Sequence, residues 1–384
     1  MAHRKHSLLV LVALVLFACG FAYAEDGEWS LLLQGSEYGA LLAATLDATA
    51  QRVLAVGATN HRHRAPYEGD VLLVCADLNG DVVWEETWGG EGYEQAWGVV
   101  ATDDGYLVFG ETDSSGAGDR DFFLMAVDTN GRTVWTKTYG TPQREWPFGM
   151  LPLANGDLLL YGHTQVSSDG SEDQYAVRVT RDGHVLWERN EPRMENEIVT
   201  GALETSAGEI VLCVSHEEDP MLTVLSAGGH ALRETVFELP GWQYGESIVA
   251  VSNGDFLLAG FSMASGRGQH ADVWLARVSP EGRLRWETSL GRSSEDDYAQ
   301  SLLARSDGTY LIGGIGRGLP LFCVDEDGTV LWESRPAPSS VFSANGLIET
   351  AGGSLIVAAF QCLVNGLSYD AALFWLDRTG TLDP

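Results

Sequence analysis

The stretch Asp128-Thr-Asn-Gly131-Arg-Thr-Val-Trp135 decides how this chain folds, because closely similar stretches recur along it. Asp77-Leu-Asn-Gly80-Asp-Val-Val-Trp84 and Asp325-Glu-Asp-Gly328-Thr-Val-Leu-Trp332 keep its Asp, Gly and Trp at the same spacing. A unit repeated about every 50 residues is typical of stacked supersecondary structures, none of which buries its apolar face alone. The glycine recurs at intervals of 46 to 53 residues, at Gly80, Gly131, Gly183, Gly229, Gly282, Gly328 and Gly380.

Each repeat contains four short apolar runs separated by turn-forming residues. In the second repeat they are residues 96–101, 106–110, 122–128 and 133–139. These runs are too short for helices and have the length and composition of strands. We therefore predict a four-stranded antiparallel meander for each repeat, with strands A to D in chain order. Seven such units closed into a ring make an all-β, seven-bladed β-propeller.

The two ends of the chain predict how the ring closes. The seventh repeat reaches its strand C at residues 371–377 and then turns at Gly380, which leaves no room for a strand D before Pro384. Residues 28–35 resemble the D strands at 84–89 and 135–140. We expect this N-terminal segment to supply the missing outer strand of the last blade, since pairing it there removes an exposed sheet edge.

The Asp-x-x-Gly-x-x-x-Trp unit resembles the repeat of exported bacterial and archaeal β-propellers of the PQQ-like type. The resemblance implies that each Trp packs on the adjacent blade while its N–H finds a carbonyl. Arg233 stands at the Trp position of the fourth repeat, so we expect a looser seam there. Quinoprotein dehydrogenases with this repeat pair adjacent cysteines over their cofactor. This chain has no Cys-Cys dipeptide, and we expect no quinone or other cofactor.

The N-terminus has the pattern of an export signal, with basic Arg4 and Lys5 before an apolar run at residues 8–17. Cleavage after Ala24 would remove residues 1–24 as a signal peptide and leave residues 25–384 as a single propeller domain. Alternatively, Leu16-Phe17-Ala18-Cys19 resembles a bacterial lipoprotein box, which would remove residues 1–18 and lipidate Cys19. Both alternatives predict a protein outside the cytoplasm, either periplasmic, secreted or lipid-anchored at the cell envelope.

The charge of the chain restricts its partners. The formal net charge is −31, and it becomes −33 when residues 1–24 are removed, because Arg4 and Lys5 are lost and no acid is. Such a chain repels nucleic acid and anionic lipid. We expect a monomer that binds no nucleic acid and meets a membrane only through a lipid anchor.

Acidic side chains lie in register at the start of strand A, in the long loops that join one blade to the next. They stand 11 residues before the glycine of the A-to-B turn, at Glu94, Glu145, Glu197 and Asp297. Two interpretations compete. The acids form a cation-attracting, ligand-binding rim around one mouth of the channel, or they accept backbone N–H bonds from the neighbouring loop and lock the blade.

Aromatic residues crowd the same loops, at Tyr93, Trp146, Trp242, Tyr244 and Tyr298. Aromatic rings near carboxylates can bind sugars by stacking or cationic groups by cation–π attraction. The alternative is that these rings fill the seams between blades.

Two further sets of acids have weaker patterns. Asp113, Asp119 and Asp121 offer three carboxylates to calcium, although their spacing matches no established calcium loop. A second series begins strand C, and we expect it to bond to the hydroxyls that end strand B at Thr59, Thr112, Thr164 or Ser262. The series consists of Asp70, Asp121, Asp173, Asp272 and Asp370.

These patterns favour a non-enzymatic binding or scaffold module that presents its long-loop face to a protein, peptide or glycan. The alternative is a glycan-active lyase or hydrolase, in which two rim carboxylates act as acid and base. Exposure separates the two functions. Enzyme chemistry needs rim acids that converge on one open pocket, whereas acids buried against their own loops favour a binding or scaffold role.

Overall fold

The computed structural model describes residues 29–33, 38–59, 69–165, 170–263, 270–291, 295–341, 343–362 and 369–382. The predicted signal segment, both cleavage sites and Cys19 lie outside these residues. Every regular element in the described ranges is a β-strand, and none of these ranges contains a helix that would cross a membrane.

The strands form seven antiparallel sheets of four, which are the blades of a seven-bladed β-propeller. Strand A of each blade is its innermost strand, and strand B pairs with it. The A strands are β2 (Tyr38–Asp47), β6 (Glu94–Thr102), β10 (Arg144–Pro152), β14 (Glu197–Glu204), β18 (Trp242–Ala250), β22 (Tyr298–Ala304) and β26 (Gly346–Glu349). The B strands are β3 (Arg52–Thr59), β7 (Gly105–Thr112), β11 (Leu158–Gln165), β15 (Ile210–His216), β19 (Phe256–Met263), β23 (Tyr310–Ile315) and β27 (Leu355–Cys362).

The outer half of each blade consists of strands C and D. The C strands are β4 (Val71–Asp77), β8 (Asp121–Asp128), β12 (Glu172–Val179), β16 (Asp219–Leu225), β20 (Asp272–Val278), β24 (Leu321–Val324) and β28 (Tyr369–Leu376). The D strands are β5 (Val82–Trp88), β9 (Thr133–Tyr139), β13 (Val185–Asn190), β17 (Ala231–Val236), β21 (Leu284–Leu290), β25 (Val330–Ser334) and β1 (Trp29–Leu33).

The N-terminal strand closes the ring. β1 pairs with β28 from Trp29 opposite Trp375 to Leu33 opposite Ala371, and the last sheet has the order β1-β28-β27-β26. Leu31 and Leu33 are buried there. The prediction that residues near the N-terminus supply strand D of the last blade is confirmed.

Burial follows from the position of each strand within its blade. B and C strands have neighbouring blades on both faces, so nearly continuous apolar runs such as those of β4 and β7 are buried throughout. D strands lie at the outer rim, and most of their side chains are exposed or half-buried. Val134 in β9, for example, has 64% of its surface exposed. The core therefore lies between blades.

The repeated glycine and tryptophan form a contact from one blade to the next. Gly131 and Gly229 adopt positive φ angles of 86° and 81° in the turns between strands C and D. A Cβ atom at Gly229 would lie 2.7 Å from the ring of Trp187 in the preceding blade. The indole Nε1 of Trp187 donates to the Ala227 carbonyl at 3.0 Å, and Trp84 makes the same bond to Thr129 at 3.1 Å.

Arg233 keeps part of this contact without an indole. Its guanidinium donates to the Pro280 carbonyl, which stands two residues before Gly282, as Ala227 does before Gly229. Thr235 fills the space against Gly282 that a Trp ring fills elsewhere. The seam after the fourth blade thus loses the ring but retains the hydrogen bond to the next blade.

Candidate functional site

Strand A carries a β-bulge at one equivalent position in the second to sixth blades. At each, the register between strands A and B skips one residue, which therefore has no partner on strand B. A bulge turns its side chain away from the regular alternation of the strand. The bulged residues are Trp97, Phe148, Thr200, Glu246 and Gln300.

Four of the five bulged side chains lie toward the central channel, whereas Thr200 is buried and donates its hydroxyl to the Gly245 carbonyl of the next blade at 2.6 Å. Strand B covers the outer edge of each A strand, and adjacent blades cover both faces of the sheet, so the open space at mid-strand is the channel. Trp97, Phe148, Glu246 and Gln300 are half-buried rather than enclosed. Bulged residues of adjacent blades also lie close together, since the centroids of the Trp97 and Phe148 aromatic rings are 6.3 Å apart.

The predicted rim acids do not face this open space. Glu94 accepts the Gly90 N–H at 2.7 Å and the Thr112 hydroxyl at 2.7 Å. Glu145 accepts the Thr141 N–H at 3.1 Å and the Thr164 hydroxyl at 2.8 Å. These two carboxylates are fully buried against their own loops and the adjacent strand.

The other two acids are held by arginines. Glu197 accepts from Arg193 at 2.8 Å and from the Gln174 amide at 2.7 Å, while Asp297 receives two bonds of 2.9 Å from Arg335. Glu197 and Asp297 are also fully buried. All four acids thus have the geometry of locks between loop and blade. They are closed to a ligand in this structure, and ligand binding by them stays a prediction.

Two of the hydroxyls that end strand B, those of Thr112 and Thr164, bond differently from our expectation, whereas the Thr59 hydroxyl accepts the Asp70 N–H at 2.9 Å. Thr112 lies opposite both Glu94 on strand A and Asp121 on strand C. Its hydroxyl donates to Glu94, whereas Asp121 accepts the Gly118 N–H at 3.0 Å. The expected bonds from Thr112 and Thr164 to strand C acids were wrong, because the longer Glu side chain on strand A reaches the hydroxyl.

The predicted aromatic residues fall into two groups on the long-loop face. Trp146 stacks on His163 with ring centroids 5.0 Å apart, and the Arg120 guanidinium lies 4.7 Å from the centre of the Tyr93 ring. This group lies at the second and third blades. The other group surrounds Phe261 at the fifth and sixth blades and consists of Trp242, Tyr244 and Tyr298.

The suggested calcium ligands are not brought together. Asp113 and Asp119 are exposed, whereas Asp121 is buried. Asp113 accepts the Tyr93 N–H at 2.5 Å, which ties the loop to the start of strand A. In the described parts of the chain, no three His, Cys, Asp or Glu side chains are placed to hold a metal ion.

Several polar residues near the channel escaped the sequence analysis. Arg120 and Glu111 form a buried ion pair at 2.8 Å, and the Trp97 Nε1 donates to the same carboxylate at 3.3 Å. Burial raises the pKa of Glu111, although Arg120 opposes the shift. Burial also raises the pKa of Glu246 to about 8. The sequence does contain a signal for the bulged residues among them, because every bulged residue stands eight positions before the A-to-B turn glycine.

Comparison with known proteins gives the fold alone. No protein-family model and no curated protein matches the chain. A catalytically inactive virginiamycin B lyase from Staphylococcus aureus, solved with quinupristin, has 14% identity and a TM-score of 0.57 over 91% of this chain and 99% of its own. YCF48 bound to D1 peptide has 12% identity and a TM-score of 0.56 over 97% and 100%. Sqt1 from Chaetomium thermophilum has 12% identity and a TM-score of 0.52 over 92% and 87%. The chain is thus similar in fold to known β-propellers.

Proposed function

We propose that this chain is a non-enzymatic binding module of the PQQ-like repeat type that works outside the cytoplasm. Its ligand, a protein or peptide, would enter the channel mouth on the long-loop face. One observation carries the proposal: the bulged positions of the innermost strands present half-buried Trp97 and Phe148, whereas the rim acids are closed. Aromatic side chains that line a concave opening are typical of ligand sites.

Three further observations support parts of this proposal. The indole contacts of Trp84 and Trp187 have the geometry that the PQQ-like resemblance implies. The export-like composition of residues 1–24 supports a place outside the cytoplasm. YCF48, a propeller of similar fold, binds the D1 peptide, which supports a peptide over a glycan as ligand.

A peptide and glycan array tests the proposal, probed with the full chain with and without calcium. Phe148→Ala should weaken binding of every peptide captured by the wild type by about thirtyfold or more, because an aromatic anchor at the centre of a site contributes about 2 kcal/mol or more. Val134→Ala, on the outer strand β9, is the matched control and should change nothing. Equal peptide binding by wild type and Phe148→Ala contradicts the proposal. Capture of glycans alone would show that the ligand is a sugar and not a peptide.

An enzymatic function has a different candidate from the rim acids. Glu246 lies in the channel, and its raised pKa of about 8 keeps it protonated near neutral pH. A carboxylic acid in that state can act as a general acid, and Tyr244 lies two residues away on the same strand. Turnover of any array ligand by wild type and its loss in Glu246→Gln, but not in Glu209→Gln on an A-to-B turn, would establish this alternative.

A further inference from the structure

Three side chains at the mouth of the channel form one stack in the third blade. The Arg144 guanidinium lies 4.1 Å from the centre of the Trp146 ring. Trp146 also stacks on His163, with the two ring planes inclined by 19°. Strands β10 and β11 hold the stack rigidly, since Arg144 and Trp146 are opposite Gln165 and His163 in their register.

Arg144 makes no direct ion pair within the part of the chain that the structure describes, although Glu111, Asp119 and Asp113 lie near enough to favour its charge. Its Nε is buried and makes no hydrogen bond, whereas Arg120 beside it is paired with Glu111 at 2.8 Å. Burial and the charge of Arg120 lower the pKa of Arg144. A partly buried cation that no carboxylate contacts directly is unfavourable. It is the more unusual in a chain with 54 acids and 23 Lys and Arg residues.

His163 adds a second unsatisfied polar group but no charge. Only 6% of its surface is exposed, and its buried Nδ1 has no hydrogen-bond partner among the residues that the structure describes. Burial, with a smaller contribution from Arg144, lowers the pKa of His163 to about 4. The imidazole is therefore neutral at pH 7, even though Glu172 lies 3.6 Å from Nε2. Arg144 carries the whole charge of the stack.

We propose that Arg144 binds a carboxylate of the peptide ligand, with an apolar side chain of that ligand packed beside it on Phe148. This inference rests on the proposed function and names the chemistry of its ligand. The planar guanidinium matches a carboxylate with two parallel N–H bonds. Phe148 supplies the apolar surface, since its ring centroid is 5.8 Å from that of His163 and 6.3 Å from that of Trp97.

The surroundings of the stack favour a peptide over an acidic sugar. Sugar hydroxyls need several polar partners, but the Trp97 N–H and the Arg120 guanidinium already bond to Glu111. The net charge of −31 repels a polyanion, so the carboxylate should belong to a ligand that is otherwise neutral or basic. The carboxylate comes from a chain terminus or from an acidic side chain, and the two sources can be separated by experiment.

Three small probes test the site by titration of the Trp indole N–H signals in NMR spectra. They are N-acetylphenylalanine, its neutral amide, and N-acetyl-aspartyl-phenylalaninamide. We expect the amide to bind about tenfold more weakly than the better of the two carboxylates, because a charge-assisted bidentate contact is lost. Stronger binding of the free acid identifies a chain terminus, and stronger binding of the aspartyl probe identifies a side chain.

Arg144→Met should weaken the better carboxylate probe by about tenfold and leave the amide unchanged. Arg132→Met, in the exposed C-to-D turn of the second blade, is the matched control. Arg144→Lys keeps the charge without the planar guanidinium and should bind the carboxylate probe with intermediate affinity. Each variant is first shown to have the melting temperature of the wild type, so that a loss of binding does not reflect a loss of folding. Equal binding of acid and amide, or an Arg144→Met variant that binds the acid like wild type, overturns the inference.

The two proposals fail separately. Peptide capture that depends on Phe148, combined with equal affinity for acid and amide, would leave the binding module standing and remove the carboxylate site. Acid binding that depends on Arg144, combined with no peptide captured on the array, would support the carboxylate site and remove the peptide-binding module.

Discussion

The turn between strands C and D and the bulge in strand A recur from blade to blade, yet their residues behave in opposite ways. The turn repeats the same glycine, and five of the seven glycines are followed four residues later by Trp. The bulge keeps its position but changes its residue every time, from Trp97 through Glu246 to Gln300. Residues that hold the ring together are mostly alike because the seams repeat one contact, from which Arg233 departs, whereas residues that line the channel are free to differ.

The contrast separates architecture from recognition. A seam residue acts on the blade that follows it, so its replacement should change stability without changing what the channel binds. A bulged residue has no partner on strand B, so its replacement should change what the channel binds more than it changes stability. The following experiments measure how far this division holds.

The largest loss should follow removal of the closing strand. Deletion of residues 25–35 removes β1 with the buried Leu31 and Leu33. At about 2 kcal/mol or more for each buried leucine, the free energy of unfolding should fall by at least about 4 kcal/mol. Thermal and urea unfolding measure the loss. Deletion of residues 1–24 alone is the control, and an unchanged melting temperature after the longer deletion would contradict ring closure by β1.

Next in size is the seam that carries an indole. Trp187→Ala should cost about 3 kcal/mol, since it removes a ring packed on Gly229 as well as the bond to Ala227. Arg233→Ala should cost only about 1 kcal/mol, the contribution of its hydrogen bond to Pro280. Urea unfolding compares the two variants, and equal losses would show that the fourth seam is as dependent on its side chain as the third.

The turn glycines give a smaller and cleaner comparison. Gly229 and Gly156 both have positive φ angles, 81° and 90°, but a Cβ atom at Gly156 meets nothing within 4 Å. Gly156→Ala should therefore cost about 1 kcal/mol for backbone strain alone. Gly229→Ala adds the collision with Trp187 and should cost about 2 kcal/mol or more. If both variants unfold at the same urea concentration, the glycine is needed for its backbone and not for the seam.

The last comparison concerns the channel itself and its dependence on pH. The folded-state pKa of Glu246 is raised from 4.5 to about 8, so the folded chain holds a proton that the unfolded chain releases. This contribution to stability is complete below pH 4.5 and is lost as the pH rises through 8. Wild type should melt lower at pH 9 than at pH 6, and Glu246→Gln should reduce that difference. An equal difference in both proteins would assign it to other groups.

The sequence predicted the ring because its signal is local. Gly131 and Trp135 stand four residues apart in one turn, and residues 28–35 resemble D strands closely enough to predict β1. The role of Arg233 was missed, because comparison of the repeats shows only that Trp is replaced by Arg. In the structure its guanidinium bonds to the Pro280 carbonyl of the next blade, which is equivalent to the carbonyl to which the Trp187 indole bonds.

The candidate site depended on contacts that the sequence does not show. Glu94 looked like a rim acid because it starts strand A, but its burial depends on Thr112 at the end of another strand. The stack of Arg144 on Trp146 was not predicted, because no repeated pattern in the sequence marks Arg144. Whether a cation has a counter-ion is decided by neighbours from other strands, which only the folded chain brings together.

The pairing of β1 with β28 also sets an order of events during synthesis. The first strand of the folded domain to leave the ribosome must wait for the last, because its partner is made at the opposite end of the chain. Until then the seventh sheet has an open edge, and the apolar faces of the first and last blades are not packed against each other. A product truncated before Tyr369 never closes and is exposed to proteases, so only full-length chains should accumulate.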